Sequence, residues 1–516
     1  MAAPPIRVVS PTTGEVLAEV PDEGAAGIAA AVDAGRTAAP AWASRPLAQR
    51  VEALKSWRDA VLDDAFSVAG TLVAESGKPR HEAEAFEILY LCELIRFGCR
   101  AARRALAGET RNPFLFVTKK THLRRTPLGV VGVIGPWNFP ILNNAADAVG
   151  PLLTGNTVVL KPSELTPLTS LHLRDLWVKT GNPPDVFRVV TGRGETGAEL
   201  VNRADGIMFT GSVATGRKVA SRAGERLIPC VTELGGKSPF VVLAGADLER
   251  AAEAAAWSSF VHSGQVCVRT ERIYVEDTVA DRFEALLVER VCALRPHAPD
   301  AGSAGSHDLG AVTFAGQISV VERQIADATA KGARVAVGGT RRRDVPGQFF
   351  PPTVLFGATH SMEVMREETF GPLVPVMRVK DAEDALRLAN DTHLGLNATV
   401  FGPRRKAVAF ARRLQSGQVI VNDVLVNYFV VESPLGGWKS SGLGVRHGVE
   451  SLRQWTRIEA ITEGRPLLAP LERFVARKLA FPYDPRVLGV IRRASRLLYR
   501  RGISEKLHRP GKVTSS

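Results

Sequence analysis

Apolar positions recur at helical spacing through residues 25–107, interleaved with Arg, Glu and Asp, which predicts a helical layer early in the chain. The pattern then changes. Residues 117–125 are polar and β-prone, and they lead into Val130–Ile134, a wholly apolar run suited to a buried strand. Further short apolar runs follow at 157–160, 187–190, 207–209 and 240–243, separated by segments of helical period. Past Asp247 the alternation resumes, with strand-like runs at 272–275, 353–355 and 418–422. Such alternation predicts βαβ units, a mostly parallel sheet and two α/β domains, with no internal repeat.

The chain's 516 residues exceed a single compact domain, and 45% hydrophobic content is enough for a large core. The five cysteines, Cys92, Cys99, Cys230, Cys267 and Cys292, form no CxxC pair, a pattern that suits a reducing compartment. Residues 1–20 lack a basic start followed by an apolar core, and no apolar run approaches the roughly 18–20 residues needed to cross a bilayer. A cytoplasmic location is the expectation, with no metal site. Of the net charge of +13, ten charges lie from Arg465 onward. A nucleic-acid partner is therefore not expected, because the basic character is confined to one appendage.

Three separated stretches carry candidate chemistry. Pro136-Trp137-Asn138-Phe139-Pro140 is a proline-bounded loop after an apolar strand, able to hold the Asn138 amide in advance for a developing oxyanion. Glu233 precedes Gly235 and Gly236, which permit sharp turning, so its carboxylate can project from a strand end as a general base. Cys267 follows Gly264-Gln265-Val266, a turn leading toward a helix, where a thiolate would be favoured. Each has a plainer reading alone: a connector with local turn bonds, a solvated glutamate, a structural cysteine. Phe209-Thr210-Gly211-Ser212, with Gly216 beyond, ends a strand and opens a helix near Val213, an anion site or simply a serine cap. Gly192-Arg193-Gly194-Glu195-Thr196-Gly197 matches GxGxxG, yet no preceding βα unit puts it at the start of a sheet half.

Taken together and in order, these stretches resemble the NAD(P)-dependent, non-acylating aldehyde dehydrogenase superfamily, from about Ser10 to Glu463. Lys161-Pro162-Ser163-Glu164, Glu367-Glu368-Thr369-Phe370-Gly371-Pro372 and Pro434-Leu435-Gly436-Gly437-Trp438-Lys439-Ser440-Ser441-Gly442 fall in family order as well. The resemblance implies an α/β fold with two Rossmann-like domains, cofactor-binding and catalytic, plus a small β oligomerisation arm. Residues 1–116 and 127–235 would bind NAD(P), 236–449 would form the catalytic domain, 117–126 and 450–462 the arm, and 463–516 a basic amphipathic tail.

The same resemblance implies that Cys267 attacks the aldehyde, that Asn138 and the Cys267 N–H hold the oxyanion, and that Glu233 activates water to hydrolyse a thioester. Lys161 and Glu164, with Ser163 between them, would bind the adenosine ribose. Glu368 would bind the nicotinamide ribose, with Phe370, Trp137 and Leu234 nearby. Gly211 and Ser212, between Phe209 and Gly216, would meet the pyrophosphate, while Gly194 and Gly197 would make a turn beside the adenine. A carboxylate at Glu164 should repel a 2′-phosphate, so NAD is expected over NADP. A homodimer or homotetramer is implied too.

Three departures from the family bear on finer expectations. Leu435 stands where many members have Phe, and Arg446 where many have Glu near the catalytic water. Asn143 and Asp147, spaced i and i+4, would share a helix face lining the substrate tunnel, or else a solvated one. Residues 424–431 contain no Arg or Lys to hold a carboxylate, so a neutral, apolar aliphatic or aromatic aldehyde is expected. A semialdehyde dehydrogenase and a catalytically silent, membrane-associated binding protein are the alternatives. Across 485–502, apolar Val487, Val490, Ile491, Ala494, Leu497 and Leu498 recur at helical spacing among arginines. This predicts either a helix lying on an anionic membrane, which would place the protein peripherally on its inner face, or a helix docked on protein.

Overall fold

The computed structural model describes residues 4–295 and 307–500, which divide into two compact units. The first comprises residues up to Leu106 together with Thr126–Arg457, and it contains two open α/β sheets.

The first sheet has six strands in the order Gly442–Leu443, Cys230–Glu233, Gly206–Thr210, Val130–Ile134, Thr157–Lys161, Phe187–Val189. All neighbours are parallel except Gly442–Leu443, which runs antiparallel to Cys230–Glu233. Val130–Ile134, Thr157–Lys161 and Gly206–Thr210 are buried along their whole length, because helices cover both faces of a parallel sheet. From Val130–Ile134 the chain steps to one side through Thr157–Lys161 and Phe187–Val189. It then crosses back to Gly206–Thr210 and Cys230–Glu233 on the other side. The order therefore reverses beside Val130–Ile134, and the carboxyl ends there are where open α/β sheets place ligands. Register aligns those ends: Ile134 pairs with both Lys161 and Phe209, and Thr210 pairs with Glu233.

The second sheet has seven strands, Arg334–Val337, Thr353–Phe356, Leu373–Val379, Arg272–Glu276, Pro239–Val242, Asn397–Phe401 and Gln418–Val421. Only the edge strand Arg334–Val337 is antiparallel to its neighbour. The helical start of the chain is present as Gly24–Ser44, Leu47–Asp63, Ala65–Ser76 and Leu89–Leu106. Trp42, Trp57 and Phe187 meet Trp177 edge-on at 5.7–6.1 Å, anchoring these helices on the first sheet. A hairpin of Ile6–Val9 and Val16–Val20 precedes them, which the sequence reading did not anticipate.

The second unit comprises 107–125 and the described residues from Ile458. Its sheet is three-stranded, in the order Thr456–Gly464, Lys119–Pro127, Glu109–Arg111. Several expected boundaries move. Glu109–Arg111 joins this sheet rather than the first domain, because its backbone pairs with Lys119–Pro127. Gly442–Leu443 returns to the first sheet although it lies within 236–449. The Gly448–Arg453 helix packs on Leu89–Leu106 and so leaves the arm. Beyond the sheet lie two helices, Ala469–Leu479 and Pro485–Tyr499. The last two residues expected in the tail helix, 501 and 502, fall outside the described residues. No described helix is long and apolar enough to cross a membrane.

Candidate active site

The loop after Val130–Ile134 is held from three sides. The Asn138 side-chain amide donates to the Gln265 carbonyl at 2.8 Å, and the Asn138 carbonyl accepts from Lys78 Nζ at 2.9 Å. Lys78 is fully buried and ion-paired with Glu87. The second oxygen of Glu87 accepts from the backbone N–H groups of Ile141 and Leu142 at 2.8 and 3.3 Å, satisfying orphan donors where the next helical turn begins. The lysine also sits over the Phe139 ring at 4.1 Å. A loop braced in this way holds its amide in place before any reaction.

Glu233 ends its strand and is buried, and its Oε1 has no hydrogen-bond partner. Burial pushes its carboxyl up to about 8, against the pull of Arg446 and with a push from Asp147. An unpaired carboxyl that titrates near neutrality can take a proton from water. The following glycines are needed: a Cβ on Gly235 would come within 2.5 Å of Glu368 Oε2, and one on Gly236 within 2.9 Å of the Cys267 carbonyl.

Cys267 does not begin a helix, contrary to expectation. It follows the Val261–Gly264 turn, in which His262, Ser263 and Gly264 all have φ of 50–75°, and then enters another turn. Gln265 locks this approach, its amide donating to the His262 carbonyl at 3.0 Å and its Oε1 accepting from the Thr313 N–H at 2.8 Å. A side chain on Gly264 would collide with the Gly371 carbonyl, so the chain must pass here as bare backbone. Burial holds the Cys267 thiol at about 12, opposed mainly by Arg446.

Two cavities meet at this thiol. One, a solvent-open cleft enclosing about 1070 Å³ of empty space, is lined by Trp137, Asn138, Thr210, Gly211, Ser212, Glu233, Leu234, Glu368 and Phe370 among others. The other, about 480 Å³, is lined by Phe86, Phe139, Leu142, Trp257, Val261, Val266, Val268, Leu425, Tyr428 and Phe429. Cys267 and Asn143 line both.

Of the residues expected to hold cofactor, Trp137, Gly211, Ser212, Leu234, Glu368 and Phe370 thus share the larger cleft. Trp137 and Phe370 touch edge-to-face at 5.6 Å. Ser212 caps the Val213–Glu225 helix, accepting from the Thr215 N–H at 3.3 Å, so the cap and the anion-favouring helix end are one feature. Glu368 accepts from the Gly236 N–H at 2.9 Å, and burial raises its carboxyl to about 7. Lys161, Ser163 and Glu164 lie one strand over, with Lys161 Nζ 3.5 Å from Glu164 Oε2.

Phe209 and Gly216 are not in the lining of that cleft. Phe209 is buried, a Cβ on Gly211 would press on its ring, and one on Gly216 would collide with Leu234. Gly194 starts the Gly194–Arg203 helix with open space where a Cβ would sit. Gly197 would make only ordinary contacts with Lys161 and Ile134.

Two buried clusters brace the site, and their pairings had no sequence signal. Glu271 accepts from Lys237 and Arg269, each at 2.6 Å, and from the N–H groups of Thr369 and Phe370 at 2.9 and 3.1 Å. These partners hold its carboxyl down at about 2 despite burial, and they tie the Glu233 loop to the Glu368 loop. The second cluster centres on Arg446. Its Nη1 donates to Asn143 Oδ1 at 2.8 Å and the Tyr428 hydroxyl at 2.5 Å; its Nη2 donates to Asp147 Oδ2 at 2.7 Å and Thr210 Oγ1 at 2.8 Å. Asn143 and Asp147 do share one face, as their spacing suggested, but only Asn143 reaches the tunnel and both are buried. Leu435 is buried and pairs its backbone with Arg446 at 2.6 Å in both directions. Among the described residues no cluster of His, Cys, Asp or Glu could hold a metal.

Comparison with known proteins gives the same picture from another direction. A model of the aldehyde dehydrogenase family matches residues 2–461. A Mycolicibacterium smegmatis protein provisionally named succinate-semialdehyde dehydrogenase [NADP(+)] is 40% identical over 458 residues, spanning 88% of each chain. The 4,4'-diapolycopene aldehyde oxidase of a Methylomonas species is 40% identical over 451 residues, spanning 87% of this chain and 83% of its own. The solved lactaldehyde dehydrogenase of Escherichia coli superposes with a TM-score of 0.85 at 33% identity, covering 89% of this chain and 96% of that one.

Proposed function

The chain belongs to the aldehyde dehydrogenase family and is an NAD(P)-dependent oxidoreductase acting on aldehydes; from that premise we propose that it oxidises neutral, apolar aldehydes to carboxylic acids through a thioester on Cys267. The observation that carries this reading is the cavity behind Cys267. Its side-chain lining is aliphatic and aromatic apart from Asn143, the thiol and the Tyr428 hydroxyl, and no cation lines it. A carboxylate-bearing substrate placed there would lose its water without a partner, which is costly.

In the proposed reaction, the Cys267 sulfur attacks the aldehyde carbon and its proton leaves to water. The carbonyl electron pair moves to oxygen, where the Asn138 amide and the Cys267 N–H donate to it. Bound NAD(P)+ supplies the hydride acceptor, and loss of hydride leaves a thioester on Cys267. Glu233 then takes a proton from water, the resulting hydroxyl adds to the thioester carbon, and collapse expels the sulfur as the acid departs.

The larger cleft suits the dinucleotide. Its residues include a helix start at Ser212 for phosphate, the Glu368 carboxylate for a ribose and the Trp137–Phe370 pair for a planar ring. Lys161 and Glu164 would take the adenosine ribose hydroxyls, and the negative Glu164 favours NAD over NADP. Self-association through the three-stranded sheet is also part of the proposal, supported by exposed Ile458 and Ile461 on Thr456–Gly464.

A second reading, a semialdehyde dehydrogenase that prefers NADP, has the provisional name of the Mycolicibacterium relative in its favour. Both readings are tested by kcat/KM for a ladder of alkanals, an aromatic aldehyde and succinic semialdehyde, each with NAD and NADP. Rising efficiency with alkyl length supports the apolar reading. Succinic semialdehyde at the top of the panel would overturn it.

A further inference from the structure

Residues 465–500 lie beyond the span matched by the family and form two basic helices whose apolar sides face outward. On Pro485–Tyr499, Val487, Val490, Ile491, Ala494, Leu497 and Leu498 occupy one continuous arc of the helical surface. Arg492, Arg493 and Arg496 occupy the other side, and Arg486 borders the apolar arc. On Ala469–Leu479, Leu471, Phe474, Val475 and Leu479 share a side that Lys478 also falls on, with Arg473 and Arg477 away from it. No residue of either helix is buried. Phe474 is 62% exposed, Val490 67% and Leu497 64%. Between the helices, Phe481 (82% exposed) packs tilted at 41° against Tyr483 with ring centroids 4.6 Å apart, so the connection too exposes aromatic surface.

A helix that pays for water contact along a whole apolar arc, while carrying cations along its other side, has a surface matched to one environment. We propose that Ala469–Leu479, the Phe481–Tyr483 pair and Pro485–Tyr499 together dock on an anionic lipid surface. The apolar arcs and aromatic rings would enter the headgroup–acyl boundary, and the arginines would reach back to lipid phosphates. Charge complementarity selects this occupant: nine cations against Glu472 and Asp484 lie between Arg465 and Arg500. Of the two acids, Glu472 is already ion-paired with Lys119 and Asp484 with Arg486. A nucleic acid would satisfy the cations and leave the apolar arcs in water, whereas a lipid boundary satisfies both.

The test is co-sedimentation of the full-length enzyme with phosphatidylcholine vesicles and with equimolar phosphatidylcholine–phosphatidylglycerol vesicles. Two variants accompany it: the triple charge reversal Arg492→Glu, Arg493→Glu, Arg496→Glu, and the pair Val490→Asp, Leu497→Asp, which keeps every cation. Wild type is expected to pellet with anionic but not neutral vesicles and to release as salt rises from about 0.05 to about 0.5 M. Partitioning should fall by on the order of 100-fold in the charge-reversal variant, and strongly in the apolar one. Aldehyde oxidation with a soluble alkanal should be unchanged in both, which reports that they fold. Wild type left in the supernatant over anionic vesicles would overturn the proposal. So would an apolar variant that binds like wild type, since charge alone would then suffice, as for nucleic acid. A drop in oligomeric state in either variant, without any vesicle effect, would instead place this face against a second copy.

Discussion

Arg446 places a buried cation beside Glu233, the proposed general base, and its removal has a signed consequence. The guanidinium draws the Glu233 carboxyl down while Asp147 pushes it up, with burial leaving the balance at about 8. Arg446→Met removes the downward pull, so the pH at which thioester hydrolysis gains its base should move alkaline. An opposite charge at close range is worth about one to three pH units to a carboxylate. Even one unit would cut the ionised fraction at pH 7.5 roughly eightfold, and hydrolysis with it. Asp147→Asn removes the upward push and leaves Arg446 less neutralised, so its inflection should move acid, below 8. Arg446→Lys retains the charge and should recover most of the wild-type profile. The assay is single-turnover hydrolysis of the acyl-enzyme from pH 6 to 10, monitored by rapid quench, so that hydride transfer does not mask the step. Both single variants break a buried ion pair and should lose about 3–5 kcal/mol of stability, so damage alone would lower both rates. Only electrostatics displaces the two profiles in opposite directions. Profiles that fall without moving, or that move the same way, would refute the reasoning.

Glu233→Gln is expected to keep a stoichiometric burst of NAD(P)H while steady turnover falls about 10²–10⁴-fold, as suits loss of a general base; loss of the burst itself would assign Glu233 to the first step instead. Asn138→Ala should lower kcat about 10²–10³-fold with alkylation of Cys267 unchanged, and equal losses in both would mean the loop had moved. In Glu164→Gln, the ratio of kcat/KM for NADP over NAD should rise at least severalfold, because the carboxylate proposed to face a 2′-phosphate is gone; an unchanged ratio would place discrimination elsewhere. Lys78→Met strands Glu87 in the core and should cost about 3–5 kcal/mol, read as a lowered Tm and compared with Lys78→Met/Glu87→Leu, which should regain part of it.

What could be read from the chain alone was what local sequence determines. Val130–Ile134 and Gly206–Thr210 are apolar along their length because they are covered on both faces, and the residues after such strands fall at the sheet's ligand-bearing edge. Asn138, Glu233 and the Gly211–Ser212 turn were legible for that reason. The path into Cys267 was not: His262 and Ser263 adopt left-handed backbone, which no side-chain pattern announces in residues other than glycine. The braces were hidden for another reason. Glu271 is only two residues from Arg269, but its other partners lie 34 and about a hundred residues away, and buried charges look like surface charges until those partners are known. Arg446 stood out as a departure from the family pattern, while its bond to Asp147 spans 299 positions.

Arg446 also bears on substrate choice, since this buried cation touches the tunnel residues Asn143 and Tyr428 from behind. A carboxylate arriving through the apolar cavity would find this guanidinium already committed. Its two terminal nitrogens donate to four acceptors, one of them the Asp147 carboxylate, and only its buried Nε lacks a partner. To bind a semialdehyde's acid group, the site would have to break the Asp147 pair and bury a second negative charge near Glu233. That would raise the base's titration further and slow the hydrolysis the enzyme depends on. A guanidinium committed to Asp147 and to the proposed base is not available to the substrate. The apolar lining and the position of Arg446 therefore favour the same substrates, neutral aldehydes that ask the cavity for contact rather than for charge.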